Sequence, residues 1–321
     1  MSIIDKPSDY FNTVLWSGDN VDGRAITTGL ETNWTWAKRR NATNGFIIAD
    51  SVRGATYKLD SSTTNAEVNN YDGGHLESFT STGFTMGVGS GDFGHLNASG
   101  GTYVAWNWKK TADAGFDIVA YTGNGSNRTI SHSCGAVPKM IIIKDRSAAD
   151  NWNVYNSSSG NNSHMHLNLT NAASGSSSYW NTTTPTSSVF SLGSNSAVNA
   201  NGNNFIAYCF AEKQGYSKFG SYTGNGSTDG TFVYTGFKPA YVLTKRTDGA
   251  AQWQILDNKR DTYNPQNTVL FPDSTDADTT GYNTDFLSNG FKHRATTTAR
   301  NGSGNSYIYM AFAENPFVTS T

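Results

Sequence analysis

The chain repeats itself, and a repeat constrains the fold more tightly than any single motif, because each copy must solve the same packing problem. Residues 28–30 and 34–38 (Thr-Gly-Leu, then Trp-Thr-Trp-Ala-Lys) align without a gap with residues 235–237 and 241–245 (Thr-Gly-Phe, then Tyr-Val-Leu-Thr-Lys), at an offset of 207. A middle copy supplies Pro138 to Lys144, matching Pro239 to Lys245 at an offset of 101, with Trp152 opposite Trp253. Tyr121-Thr-Gly-Asn-Gly125 returns as Tyr222-Thr-Gly-Asn-Gly226, and Trp16-Ser-Gly-Asp-Asn20 is its weaker first copy. The closing segments 103–109, 205–211 and 307–313 are spaced by 102 and 102, each after a loop with Asn97 and Gly100, Asn199 and Gly202, or Asn301 and Gly304. The repeat predicts modules at 10–110, 115–213 and 215–315, an N-terminal arm at 1–9 and a C-terminal tail at 316–321. The links at 111–114 and 214 are short enough to hold neighbouring modules close.

The closing segments alternate with period two, which predicts a strand. Val104, Trp106 and Trp108 fall on one face, as do Ile206, Tyr208 and Phe210, then Ile308, Met310 and Phe312. The opposite faces are smaller but uncharged, so both sides are expected to be covered, as in the central strand of a sandwich. The strand ending in Lys144 and its equivalents place Trp34/Trp36, Met140/Ile142 and Tyr241/Leu243 on one face, read as core. Asn-Gly pairs at the loops suit tight hairpins, and no window shows sustained helical spacing with caps. The predicted fold class is all-β: three tandem homologous β-sandwich modules of jelly-roll or lectin-like type.

With 13% aromatic residues and a net charge of -2, the composition is that of an ordered chain. Basic residues are scattered among carboxylates, so no nucleic acid is expected as a partner. Met1 to Phe11 has no basic segment followed by an apolar run, and no window approaches 18 apolar residues, so no membrane insertion is expected. Cys134 and Cys209 make neither a disulfide framework nor a zinc site.

Candidate chemistry is thin. Asp257, Asp261, Asp273, Asp276, Asp278 and Asp285 are the carboxylates available for acid–base work on a glycan, but most lie in polar stretches and read as solvated loop carboxylates. His164 and His166 would share one face of a strand, a pair that binds metal only with further ligands. Neither a nucleophile elbow nor a metalloprotease motif occurs. No catalytic residue, cofactor or metal is therefore predicted. One polar pair recurs: Asp50-Ser-Val-Arg53 matches Asp257-Asn-Lys-Arg260 at the offset of 207, where the middle copy has Asn156 and Ser159. Asp50/Arg53 and Asp257/Arg260 are either structural ion pairs or interaction loops. Tyr179-Trp180, within a Ser- and Thr-rich stretch, is either packed inward or a platform on which a sugar stacks.

Lys6-Pro-Ser-Asp-Tyr-Phe-Asn-Thr13, Asp50-Ser-Val-Arg-Gly-Ala-Thr56, Thr102 to Lys109, Gly215 to Gly226 and Tyr307 to Pro316 together resemble a family of repeat-domain virion structural proteins of marine bacteriophages, of cyanophage and pelagic-bacterium phage type. The resemblance runs from about Lys6 to Phe317 and carries no catalytic residues. It implies a non-enzymatic protein on the virion surface, as head decoration or as tail or fibre appendage, assembled in the bacterial host cytoplasm. The implied partners are other virion structural proteins, further copies of the chain, and a host surface glycan or receptor. A carbohydrate- or receptor-binding adhesin of the tail is the alternative, and a polysaccharide depolymerase the enzymatic one.

Overall fold

The computed structural model describes residues 4–69, 76–87 and 96–316. The first residues of the arm, the tail beyond Pro316, and His75 and His95 lie outside them. Among the described residues the chain is nearly all β, with helix confined to Pro7–Asp9, Ser177–Trp180 and Ser196–Asn199. None of these turns is long and apolar enough to cross a membrane.

Three large antiparallel sheets follow the three repeats. In spatial order the first is Phe11–Ser17, Thr102–Trp108, Trp34–Arg39, Ile47–Asp50, Gly54–Leu59 and Val68–Asn69. The second is Phe116–Thr122, Asn204–Ala211, Pro138–Asp145, Asn153–Asn156, Ser163–His166 and Ser174–Gly175, and the third is Ser217–Thr223, Ser306–Pro316, Phe237–Arg246 and Gln254–Asp257. The closing strand of each repeat thus sits second in its sheet, hydrogen-bonded on both sides. In the third repeat it runs to Pro316, one residue into the stretch read as tail. Three smaller sheets accompany them: Arg24–Thr27, Gly83–Met86 and Leu76–Thr80, then Arg128–Ser131 with Val189–Leu192, then Phe232–Tyr234, Gly290–His293 and Thr284–Leu287.

The two faces of each closing strand enter different cores. Tyr103 and Ala105 pack with Ile26 and Phe84 of the first small sheet; Phe205 and Ala207 pack with Ile130 and Phe190 of the second; Tyr307 and Tyr309 pack with Val233 and Phe291 of the third. The other faces meet one another. Val104, Trp106, Trp108, Ile206, Tyr208, Phe210, Ile308, Met310 and Phe312 all belong to a single cluster drawn from all three repeats. Its geometry is close to threefold. The equivalent side chains Trp108, Phe210 and Phe312 form a triangle, with ring centroids 6.3, 6.1 and 5.5 Å apart. Trp34 crosses from the first repeat to the second, its ring 4.7 Å from Tyr208 and 5.6 Å from Phe210.

The recurring Asn and Gly positions fasten the loop that leads into each closing strand. Asn199 donates to Asn124 Oδ1, Ser126 O and Gly193 O, and accepts from the amide of Asn124. Asn301 repeats this with Asn225, Ser227 and Ala295, and Asn97 holds Asp19 and Val21. The approach is so close that a Cβ on Gly18, Gly123 or Gly224 would lie 2.1, 2.1 or 2.4 Å from a carbonyl oxygen. Only glycine fits there.

Because Trp34 belongs to a core shared by the repeats, its loss acts on the whole molecule. Trp34→Ala is expected to lower the unfolding free energy by about 3–5 kcal/mol. In urea, tryptophan fluorescence and far-ultraviolet circular dichroism should still report a single transition. An early transition confined to part of the signal would show the repeats to be independently stable.

Candidate functional site

The recurring Asp and Arg lie at the seams between repeats, and their surroundings show why both are present. The strand Ile47–Asp50 ends at Asp50, whose Oδ1 accepts from the amides of Val52 (3.0 Å) and Arg53 (2.8 Å), forming the turn that brings Arg53 back. Arg53 Nε then pairs with Asp50 Oδ2, and both side chains are fully buried. Nη2 of Arg53 donates to Ile48 O at 2.9 Å and Nη1 to Glu67 at 2.9 Å. Asp257 and Arg260 repeat each contact: amides of Lys259 and Arg260 on Oδ1, Nε on Oδ2 at 2.6 Å, Nη2 on Ile255 O at 2.8 Å, Nη1 on Asp278 at 3.0 Å. Burial opposes each guanidinium's charge, yet Asp50 with Tyr208 and Glu67 raises the pKa of Arg53, and Asp257 with Asp278 raises that of Arg260.

Each pair is completed from the neighbouring repeat. The hydroxyl of Tyr208, in the second closing strand, donates to Asp50 at 2.8 Å. The indole N–H of Trp106, in the first closing strand, donates to Asp257 at 3.0 Å, and its ring lies 5.5 Å from the Arg260 guanidinium. Beyond the pairs, Glu67 bridges Arg53 to Arg146 of the second repeat, and Asp278 bridges Arg260 to Arg40 of the first. Two of the three seams are therefore closed by the same clasp: Arg, acid, Arg, with an aromatic donor behind.

The third seam, between the second and third repeats, keeps the backbone of the clasp and none of its charge. Ala173 N donates to Thr247 O at 2.9 Å, as Glu67 N does to Arg146 O and Asp278 N to Arg40 O. The side chains in register are Asn156 for Asp, Ser159 for Arg, Ala173 for the bridging acid and Thr247 for the second Arg. Met310 occupies the position of Tyr208 and Trp106. Met cannot donate a hydrogen bond, so an aspartate there would lack its partner. Asn156 Nδ2 makes no hydrogen bond within the described chain.

All three seams share a buried lysine. Lys38, Lys144 and Lys245, at most 1% exposed, donate to Thr275 O, Thr64 O and Thr170 O of the preceding repeat, at 3.0, 3.2 and 2.9 Å. Burial pulls each ammonium down to about 8.

These observations correct the reading of Asp50, Arg53, Asp257 and Arg260 as loops offered to outside partners: their hydrogen bonds are made inside the chain. Tyr179 and Trp180 are corrected likewise. They sit in the helical turn Ser177–Trp180, not on a strand, and are buried; Trp180 Nε1 donates to Ser163 O at 2.9 Å and Tyr179 stacks on His164 at 3.8 Å. No aromatic face is left there for a sugar. His164 and His166 do share a side of Ser163–His166, 5.2 Å apart, with no third metal ligand among the described residues. Of the remaining carboxylates, Asp261 accepts from the Asn267 and Thr268 amides, Asp285 pairs with Arg294, and burial lifts Asp273 to about 7. Glu67, Arg40 and Arg146 went unread in the sequence, although Arg40 and Arg146 each follow the shared lysine by two residues, and Asp278, read there as a carboxylate for acid–base work, is instead the bridge between Arg260 and Arg40.

Fold and seams together define an all-β protein whose three large sheets meet in one aromatic core, with buried charged clasps at two of the three seams. The chain belongs to the family described as Domain of unknown function (DUF7483), whose model matches residues 6–316. No curated protein matches the chain.

Asp50→Ala, which strands Arg53 and Tyr208, is expected to cost about 3–5 kcal/mol. The triple substitution D50N/R53S/Y208M copies three positions of the uncharged seam, leaves Glu67 paired with Arg146, and should cost less than that single change in denaturant titration. A triple variant less stable than Asp50→Ala would show that the clasp cannot be exchanged as a unit.

The lysines set a pH dependence. With folded values near 8 and an unfolded value near 10.5, the unfolded chain binds protons that the folded chain has released, so stability rises with pH across that interval. The melting temperature is expected to climb from pH 8 to pH 10, and Lys144→Met to make that climb shallower. A melting temperature that falls over this range would contradict the assignment.

Proposed function

We propose that the chain is a non-enzymatic structural protein of a phage virion surface, of the kind its sequence resembles, and that it docks through its third repeat onto other virion proteins. In this reading each repeat is a two-sheet, lectin-like sandwich of a large and a small sheet, and three sandwiches share a core. Such a body is rigid, because separating one repeat would expose the central aromatic face. Rigidity suits a decoration or short appendage that keeps its shape while several copies assemble.

The observation that carries the docking reading is a difference between equivalent strands. Ile26, Ile130 and Val233 pair with Phe84, Phe190 and Phe291 and point inward. Their outward neighbours are Ala25 and Thr27, Thr129 and Ser131, but Phe232 and Tyr234 in the third repeat, 43% and 58% exposed. Two aromatic rings on one open strand face supply the apolar anchors typical of protein interfaces.

Immunogold labelling of purified particles is expected to place the chain on the virion. F232S/Y234S should retain the wild-type melting temperature and fall at least tenfold in particle incorporation. A protein found only free in the lysate would overturn the virion reading, and normal incorporation of the double variant would overturn the third repeat as its anchor.

A further inference from the structure

The uncharged seam has a consequence in space. At the other two seams, the ion-paired side chains of Arg53, Glu67 and Arg146, or of Arg260, Asp278 and Arg40, reach across from repeat to repeat. Their counterparts Ser159, Ala173 and Thr247 are short, and all three line an open cleft of about 500 Å³ between the second and third repeats. The cleft is the room left by the missing clasp.

Its walls have a definite chemistry. Around Ser159 and Thr247 stand Ser158, Ser163, Ser221 and Ser306. A serine or threonine hydroxyl both donates and accepts, and turns to suit its partner. The lining includes neither lysine nor arginine, so no cationic side chain favours a phosphate or carboxylate over a neutral ligand. Asp248 is its one acid, and Asp248 is already engaged by Arg246 Nε at 2.7 Å and by the Ser306 amide at 3.1 Å, which leaves a free cation little to bind. Tyr222, Tyr307 and Ile308 form the floor of the cleft, and their side chains are turned away into the cores on either side. The volume falls within the range of small-molecule sites.

We propose that this cleft binds a neutral carbohydrate of one or two rings, whose hydroxyls pair with the serine and threonine hydroxyls that line it. The inference goes beyond the virion reading and does not depend on it.

The test uses the full chain and saturation-transfer NMR with glucose, galactose, mannose, N-acetylglucosamine, maltose and lactose at millimolar concentration, with sodium phosphate as a charged control. At least one sugar is expected to show transfer, and phosphate none. S159R/A173E/T247R, which restores the Arg–acid–Arg bridge across the cleft, should weaken that sugar's binding at least tenfold. Ser158→Tyr, at an exposed position on the cleft, should weaken it similarly, so the assignment does not rest on the triple variant's folding. Absence of transfer from every sugar would overturn the proposal. So would transfer unchanged in Ser158→Tyr with wild-type circular dichroism, or a preference for phosphate.

Discussion

Everything else in the structure depends on the inward face of three strands. Val104, Trp106 and Trp108, with their equivalents, present large apolar side chains that one small sheet cannot cover, because each small sheet already covers the opposite face. Burying an aromatic or branched side chain is worth about 1.5–3 kcal/mol, and nine such positions lie on the closing strands alone. A single repeat with that face open to water would expose an apolar patch of the kind that aggregates. Three repeats facing one another remove it. The short links at 111–114 and 214 follow from this arrangement, since each strand ends close to where the next repeat begins.

A shared apolar core specifies that the repeats meet, but not how they are rotated about it. The clasps supply that. A buried carboxylate tolerates no misplaced donor, and Asp50 is satisfied only when Tyr208 arrives from the next repeat, as Asp257 is only when Trp106 does. Buried ion pairs are weak contributors to net stability, and fixing one arrangement among alternatives is a role better matched to their cost. The buried lysines act in the same way through backbone carbonyls. Because carbonyl contacts require no particular side chain, they persist at all three seams while the aspartate and arginine do not.

The sequence disclosed the repeat, the register of the closing strands and the recurrence of Asp and Arg, since all three are written at constant offsets. It did not disclose that the strands share a core. Alternation of Trp106 and Trp108 with Ala105 and Asn107 looks the same whether a sheet is covered by its own repeat or by two others. Nor did it disclose that Asp50 is buried, because its hydrogen-bond donor lies 158 residues away. Glu67 and Asp278 were hidden by loop length: one follows its arginine by 14 residues and the other by 18, so no fixed offset joins them. For Tyr179-Trp180 the inward alternative is the one the structure shows, and what polar neighbours hid was the single helical turn that folds both rings inward.

Fusion of three repeats into one chain also explains why one seam differs. Three identical subunits would carry three identical seams, and any change would appear at each. In a single chain each seam is encoded separately. Removing only Asp or only Arg from a clasp leaves a buried charge unpaired, which is severe, whereas replacing both partners of a buried ion pair leaves no charge stranded. The second–third seam shows the complete replacement: Asn156, Ser159, Ala173 and Thr247 face a strand in which Met310 has no hydrogen to donate. Two charged seams and the lysine contacts suffice to fix the rotation of a three-membered ring, because placing two repeats relative to the first places them relative to each other. The remaining seam is thereby released from that duty, and its side chains are free to differ.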